Sequence, residues 1–158
     1  MARLYVWAPR GLRAVFNVPH GHWRTTTFLA GLRHDRIVAP MPLDGAIDGA
    51  AFCAWVEQAL APTLEPGDIV VADNLSSHKM ARVRAALEAR GAIILFLPAY
   101  SPDHNPIEQL FAKLKSVVRR LAPRSRDALS DAVRHALQLV TANECANYLA
   151  NKGYGQLA

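Results

Sequence analysis

The sequence has little of what marks an exported or membrane-bound chain. Its two cysteines, Cys53 and Cys145, lie far apart and form no CxxC pair, which leaves no disulfide framework and no cysteine-based zinc site. No apolar run approaches the ~18–20 residues that cross a bilayer; Ala92–Leu97 has only the length of a core segment. Residues 1–13 carry arginines and a proline where a signal peptide needs an apolar stretch. Carboxylates are missing from two places. None precedes Asp35, although five arginines do, and none interrupts Lys113–Arg126, which holds six basic residues.

What is present reads as one soluble, cytoplasmic domain with no membrane partner. A chain of 158 residues, 51% hydrophobic and 20% charged, has the usual globular balance and buries roughly two-thirds of its unfolded surface. The net charge of +5 favours a polyanionic partner, although solubility alone would also account for it.

The pattern along the chain is α/β. Residues 4–8 and 13–18 read as short extended pieces around the turn Ala8–Gly11. Thr25–Leu32 and Arg36–Met41, rich in β-formers, read as a hairpin. A helix is expected from Gly49 to Leu60 with Asp48 as its cap. Asp68–Asp73 (DIVVAD) and Ala92–Leu97 (AIILFL) have the near-continuous apolar character of strands buried on both faces. A helix from Lys79 to Ala89, stopped by Gly91, lies between them, so the two strands should be parallel neighbours in a right-handed crossover. A long helix follows from Pro106 to Leu121. Its buried face should be Ile107, Leu110, Phe111, Leu114, Val118 and Leu121. Two more helices close the chain, Arg126–Val140 capped by Ser125, and Ala142–Ala150 with a Thr141/Glu144 capping box. The Leu129–Val140 apolar face should pack on the domain.

Chemistry is expected at the carboxyl edge of the parallel strands. Asp73-Asn74 closes one of them. The other leads into Pro98–Pro106, which delivers Glu108 in the first turn of the next helix. Each residue also has a purely local reading: Asp73 as a turn former, and Asn105-Pro106-Ile107-Glu108 as N-cap, first residue and a third-position glutamate reaching back. His78 is either a helix-flanking residue or one that orients Asp73 or meets a phosphate. The loop weighs toward function. It holds three prolines in nine residues, with Tyr100, Ser101 and Asp103, and a stiff loop is what aims a carboxylate. Two carboxylates at one rim suit Mg²⁺, which takes oxygen ligands and leaves positions open for phosphate.

These residues carry a resemblance. Val70–His78 (VVADNLSSH) and Leu95–Lys115 (LFLPAYSPDHNPIEQLFAKLK) closely resemble the catalytic core of mariner-superfamily DDE transposases, nearest to the bacterial insertion-sequence branch. The wider match takes in Tyr5–Gly11, Leu43–Phe52 and the pair Gly153-Tyr154. Thirty-four residues separate Asp73 from Glu108, the interval the family keeps between its second Asp and its Glu. The resemblance implies an RNase H-like fold with a mixed sheet flanked by helices. It assigns Asp73 and Glu108 as catalytic and metal-binding members of the triad, with Asn74, His78, Tyr100, Ser101, Pro102, Asn105 and Pro106 shaping the site. It also implies two Mg²⁺ (or Mn²⁺) ions, which stabilise the attacking and leaving oxygens of an in-line displacement at phosphorus. Its partners would be DNA, as element ends and as target, in a homo-oligomer when intact.

The family's first Asp lies on an opening strand upstream of the segment that begins Met1-Ala2-Arg3. The expectation is therefore a partial RNase H-like domain over 1–122 without its first, central strand, and a C-terminal helical extension of that domain over 123–158. Asp35, in a hairpin turn, is a poor substitute. A late start codon, a transposase made from two frames with an upstream-encoded segment, or decay would each account for this, and the chain alone should be weak or inactive. Lys113, Lys115, Arg119 and Arg120 are the expected DNA contacts through phosphate neutralisation, against a plain solvated basic face. The competing functions are a non-catalytic DNA-binding or co-assembling remnant and an RNase H-type nuclease acting on hybrids. His20-Gly21-His22 lacks the further ligands of a zinc site, and Trp7, Trp23 and Trp55 are expected in or near the core.

Overall fold

A computed structural model describes residues 7–15 and 25–155. Four strands and five α-helices follow one another: β1 (Thr26–Leu32), β2 (Ile37–Asp44), α1 (Gly49–Trp55), β3 (Ile69–Ala72), α2 (Ala81–Glu88), β4 (Ile93–Phe96), α3 (Ile107–Leu121), α4 (Arg126–Gln138) and α5 (Ala142–Ala150). Local chemistry sets most of the boundaries. The Asp48 carboxylate accepts from Ala51 N–H to start α1, Ser125 accepts from Ala128 N–H to start α4, and Thr141 and Glu144 form the expected capping box of α5. The helix begun by α1 widens into a π-turn over Val56–Leu60 instead of continuing as α to Leu60.

Two apolar centres share the β1–β2 hairpin between them. The first joins Phe52, Cys53, Trp55 and Val56 to Val83 and Leu87 of α2 and Ile94 of β4, with Leu29 and Met41 of the hairpin against it. The second is built by Leu110, Leu114 and Val117 of α3 with Ala136 of α4, and Phe28, Leu32 and Ile37 cover it from the hairpin. Alternation along the hairpin therefore serves both layers. A bulge makes this possible. Ala39 and Pro40 together oppose Ala30, Ala39 takes a φ of +50°, and its carbonyl accepts the Trp55 indole N–H at 2.9 Å. Gly31 is required here, because a Cβ would lie 2.8 Å from Val38 Cγ2.

The crossover pair forms as expected: β3 and β4 are parallel, in register from Ile69 opposite Ile93 to Ala72 opposite Phe96. Among the described residues the strands make two two-stranded sheets, β1–β2 and β3–β4, and with the five helices they form short sheets in a mixed α/β arrangement consistent with the expected RNase H-like fold. Other details differ from expectation. β3 and β4 are covered on one face only. Val70, Ala72, Ile94 and Phe96 face the first core, while Ile69, Ile93 and Leu95 remain about half exposed, because α3 packs on the hairpin and α4 instead of on this pair. Leu121 is exposed and Val117 takes a buried place on α3. Trp7 is fully exposed, whereas Trp55 is buried. Residues 7–8 and 13–15 are not strands; the rest of those two pieces, His20-Gly21-His22 and Trp23 lie outside the described residues.

One polar link ties the two sheets together. Arg33, in the β1–β2 turn, makes a bidentate pair with Asp68 at the head of β3 (2.6 and 2.9 Å), and Asp68 also accepts from Glu65 N–H at 2.8 Å. The Arg33 guanidinium holds the Asp68 carboxyl below the usual carboxylate range.

Candidate active site

β3 and β4 run parallel, so their carboxyl ends share an edge, closed by Leu97 N–H donating to the Ala72 carbonyl at 2.8 Å. Asp73 is the next residue on one strand and Pro98 on the other. After Asp73 the chain makes a short 3₁₀ turn over Ser76–Lys79, which brings His78 back onto it. His78 Nδ1 lies 2.5 Å from Asp73 Oδ1, and the same oxygen accepts from Leu75 N–H at 3.4 Å. His78 Nδ1 also lies 3.4 Å from the Asp73 backbone carbonyl oxygen. The imidazole is itself fixed, stacked on Phe52 with ring centroids 4.2 Å apart. His78 is mostly shielded, whereas the Asp73 side chain is 46% exposed. One carboxylate oxygen is thus anchored, and Asp73 Oδ2 has no partner among the described residues.

The loop from Pro98 to Pro106 is held by few internal bonds. Ser101 Oγ donates to the Ala99 carbonyl (3.3 Å), His104 N–H to the Ser101 carbonyl (3.2 Å), and Asn105 Oδ1 accepts from Ile107 N–H (3.3 Å). Tyr100 is fully exposed at a φ of +58°, a region an L-residue occupies only at a cost. Asn74 is half buried.

Glu108 departs from the capping reading. The N-cap position of α3 falls on Pro106, one residue later than expected, so Glu108 is the second helical residue and its side chain does not reach back to Asn105. Proline has no N–H to offer such a cap. Glu108 is exposed, and its carboxylate has no hydrogen-bond or ion-pair partner among the described residues. Nor does any such bond join it to Asp73.

The four expected DNA-contacting cations divide. Lys113 donates to both carboxylate oxygens of Glu144 (2.5 and 2.6 Å) and to the Leu139 carbonyl (2.6 Å), which ties α3 to α5. Its ammonium holds the Glu144 carboxyl below its ordinary range. Lys113 thus braces α3 against α5. Lys115, Arg119 and Arg120 are exposed, with no acidic partner among the described residues. Asp35 pairs with the adjacent Arg36 at 2.6 Å.

Two groups near the start of α3 were not singled out by residue chemistry. Asn151 Nδ2 donates to Gln109 Oε1 at 3.1 Å, and the Tyr154 hydroxyl donates to the His104 carbonyl at 3.2 Å. The only sign of them in the sequence is the Gly153-Tyr154 pair. Among the described residues no group of three or more His, Cys, Asp or Glu is placed to hold a metal. The cleft bounded by Thr26, Asp44, Arg126 and Leu129, between the hairpin and α4, contains none of the residues above.

Asp73 and Glu108 each present open carboxylate oxygens, the hard donors that suit Mg²⁺ or Mn²⁺. Residues 1–130 match a family model described as DDE superfamily endonuclease. No curated protein matches the chain.

Proposed function

This chain belongs to the DDE superfamily endonuclease family, and we propose that within it the chain is the catalytic region of a mariner-type insertion-sequence transposase that cuts and joins DNA. The observation that carries this reading is the pair of uncommitted carboxylates: Asp73, fixed by a stacked histidine at the end of β3, and Glu108, freed from capping at the start of α3. In this reading both converge on one divalent ion. The ion, when bound, supplies charge stabilisation at the transferring phosphorus.

The chain's own residues do the rest. His78 holds Asp73 Oδ1 and leaves Oδ2 outward. Asn105 and Pro106 set where α3 begins and so where Glu108 points, while the Pro98–Pro106 loop carries the turn between them. Lys115 and Arg119 share the side of α3 that bears Glu108, where they neutralise phosphates of the bound strand. Two carboxylates leave room on the ion for a further oxygen ligand, which an added strand bearing an aspartate would supply. Homo-oligomeric assembly on element ends and target belongs to the same reading.

The test is plasmid nicking in Mg²⁺ or Mn²⁺ with and without an added upstream strand bearing an aspartate. Cleavage should rise on addition and vanish in Asp73→Ala and in Glu108→Ala. Cleavage that persists in either variant overturns the assignment. DNA binding that remains salt-dependent while no strand is cut under any addition favours the non-catalytic remnant.

A further inference from the structure

The final described turn, Asn151–Tyr154, has no part in the reading above. α5 runs antiparallel along α3, with Glu144 near its start pairing with Lys113, and Asn151 just past its end bonded to Gln109, one turn nearer the start of α3. The chain then reverses at Gly153, whose φ of +85° is open to glycine. Gly153 N–H donates to the Ala150 carbonyl and Tyr154 N–H to the Leu149 carbonyl (3.0 and 3.1 Å), the closing bonds of a helix end. This reversal sends the Tyr154 hydroxyl to the His104 carbonyl. One turn thus holds two points that bracket Glu108, His104 in the loop and Gln109 in the helix.

We propose that Tyr154 is a positioning residue, whose hydroxyl, together with the Asn151 amide, clasps the Pro98–Pro106 loop to the first turn of α3 and fixes the direction of the Glu108 carboxylate. The proposal rests on the metal-binding reading of Glu108. The loop needs an outside hold, since its internal bonds are few and Tyr100 occupies a costly φ. The clasp comes from beyond residue 130, where the family match ends.

Tyr154→Phe tests it in the full chain, because the ring stays and only the hydroxyl goes. Amide exchange at His104 and Glu108, whose N–H groups donate to Ser101 and Asn105, should quicken about five-fold, the worth of one modest hydrogen bond. Exchange in β3 and β4 should not move, and the melting midpoint should fall by no more than about 2–4 °C. The Kd for Mn²⁺ alone, by calorimetry, should weaken roughly two- to five-fold, in proportion to the loosened turn. Asn151→Ala should quicken exchange at Gln109 in the same way. Unchanged exchange at His104 and Glu108, or faster exchange throughout the chain, overturns the clasp. Faster local exchange with unchanged Mn²⁺ affinity overturns its positioning role. Glu108→Gln separates the two readings: if Mn²⁺ affinity survives that change, the metal reading fails, and the clasp is judged on exchange alone.

Discussion

Asp68→Asn should loosen the joint between the two sheets. The wild-type carboxylate accepts two bonds from Arg33 and one from Glu65 N–H, and both side chains of the pair are only about one-fifth exposed (19% and 21%). A hydrogen bond to a charged group contributes about 1.5–3 kcal/mol, and losing the anion leaves Arg33 short of a partner. Solvent reaching the pair offsets part of that, and the amide keeps one acceptor, so the net loss is about 2 kcal/mol. For a chain of this size that lowers the melting midpoint by roughly 4–8 °C. The pH dependence has a definite sign. The folded carboxyl titrates below its ordinary value, so its contribution is complete above the unfolded pKa of about 3.9 and is lost as pH falls through the lower folded value. The gap between wild type and Asp68→Asn should therefore be full at about pH 6 and shrink as the medium is acidified below about pH 4. Calorimetric melts across that range measure it, with Arg33→Met completing a double-mutant cycle. A midpoint within about 1 °C of wild type at neutral pH, or a gap that widens in acid, refutes the account.

Further expectations concern the helices. Ala122 closes α3 at a φ of +46°, so Ala122→Gly should stabilise by about 0.5–1 kcal/mol in denaturant melts, and destabilisation would refute the left-handed cap. Leu110, fully buried, should cost about 2–5 kcal/mol when cut to alanine, whereas exposed Leu121 should cost under about 0.5 kcal/mol; equal losses would put Leu121 back in the core. Replacing Lys115, Arg119 and Arg120 with glutamine should flatten the salt dependence of DNA binding by about 0.9 log units per lost phosphate contact. Lys113→Gln should leave that slope alone and lower stability by about 1 kcal/mol through the lost pair with Glu144. A slope that responds to Lys113 alone would reverse the assignment.

The Asp73–Glu108 interval, the proline-bounded loop, the caps at Asp48, Ser125 and Thr141, and the parallel β3–β4 crossover were all legible in the chain. The interval is a fixed spacing in the chain, and the others depend on residues within a few positions of one another or on an apolar run of fixed length; such patterns survive being read in one dimension. The same local reading led astray at Glu108. Asn-Pro-Ile-Glu satisfies the template of a capping box, yet the helix begins one residue late and the carboxylate is left open.

Other features depend on what lies opposite. AIILFL has the composition of a strand buried on both faces, but burial is set by the covering layer, and α3 covers the hairpin instead, leaving Ile93 and Leu95 half exposed. Lys113 and Lys115 are indistinguishable as members of a basic run; only the approach of α5 gives one of them Glu144 as partner and leaves the other to solvent. Arg33 and Asp68, 35 positions apart, and Tyr154 and His104, 50 apart, meet for the same reason. Periodicity and capping are short-range properties of the chain. Ion pairing, burial and the bracing of the Glu108 turn come from distant segments packed side by side, and no local pattern encodes them.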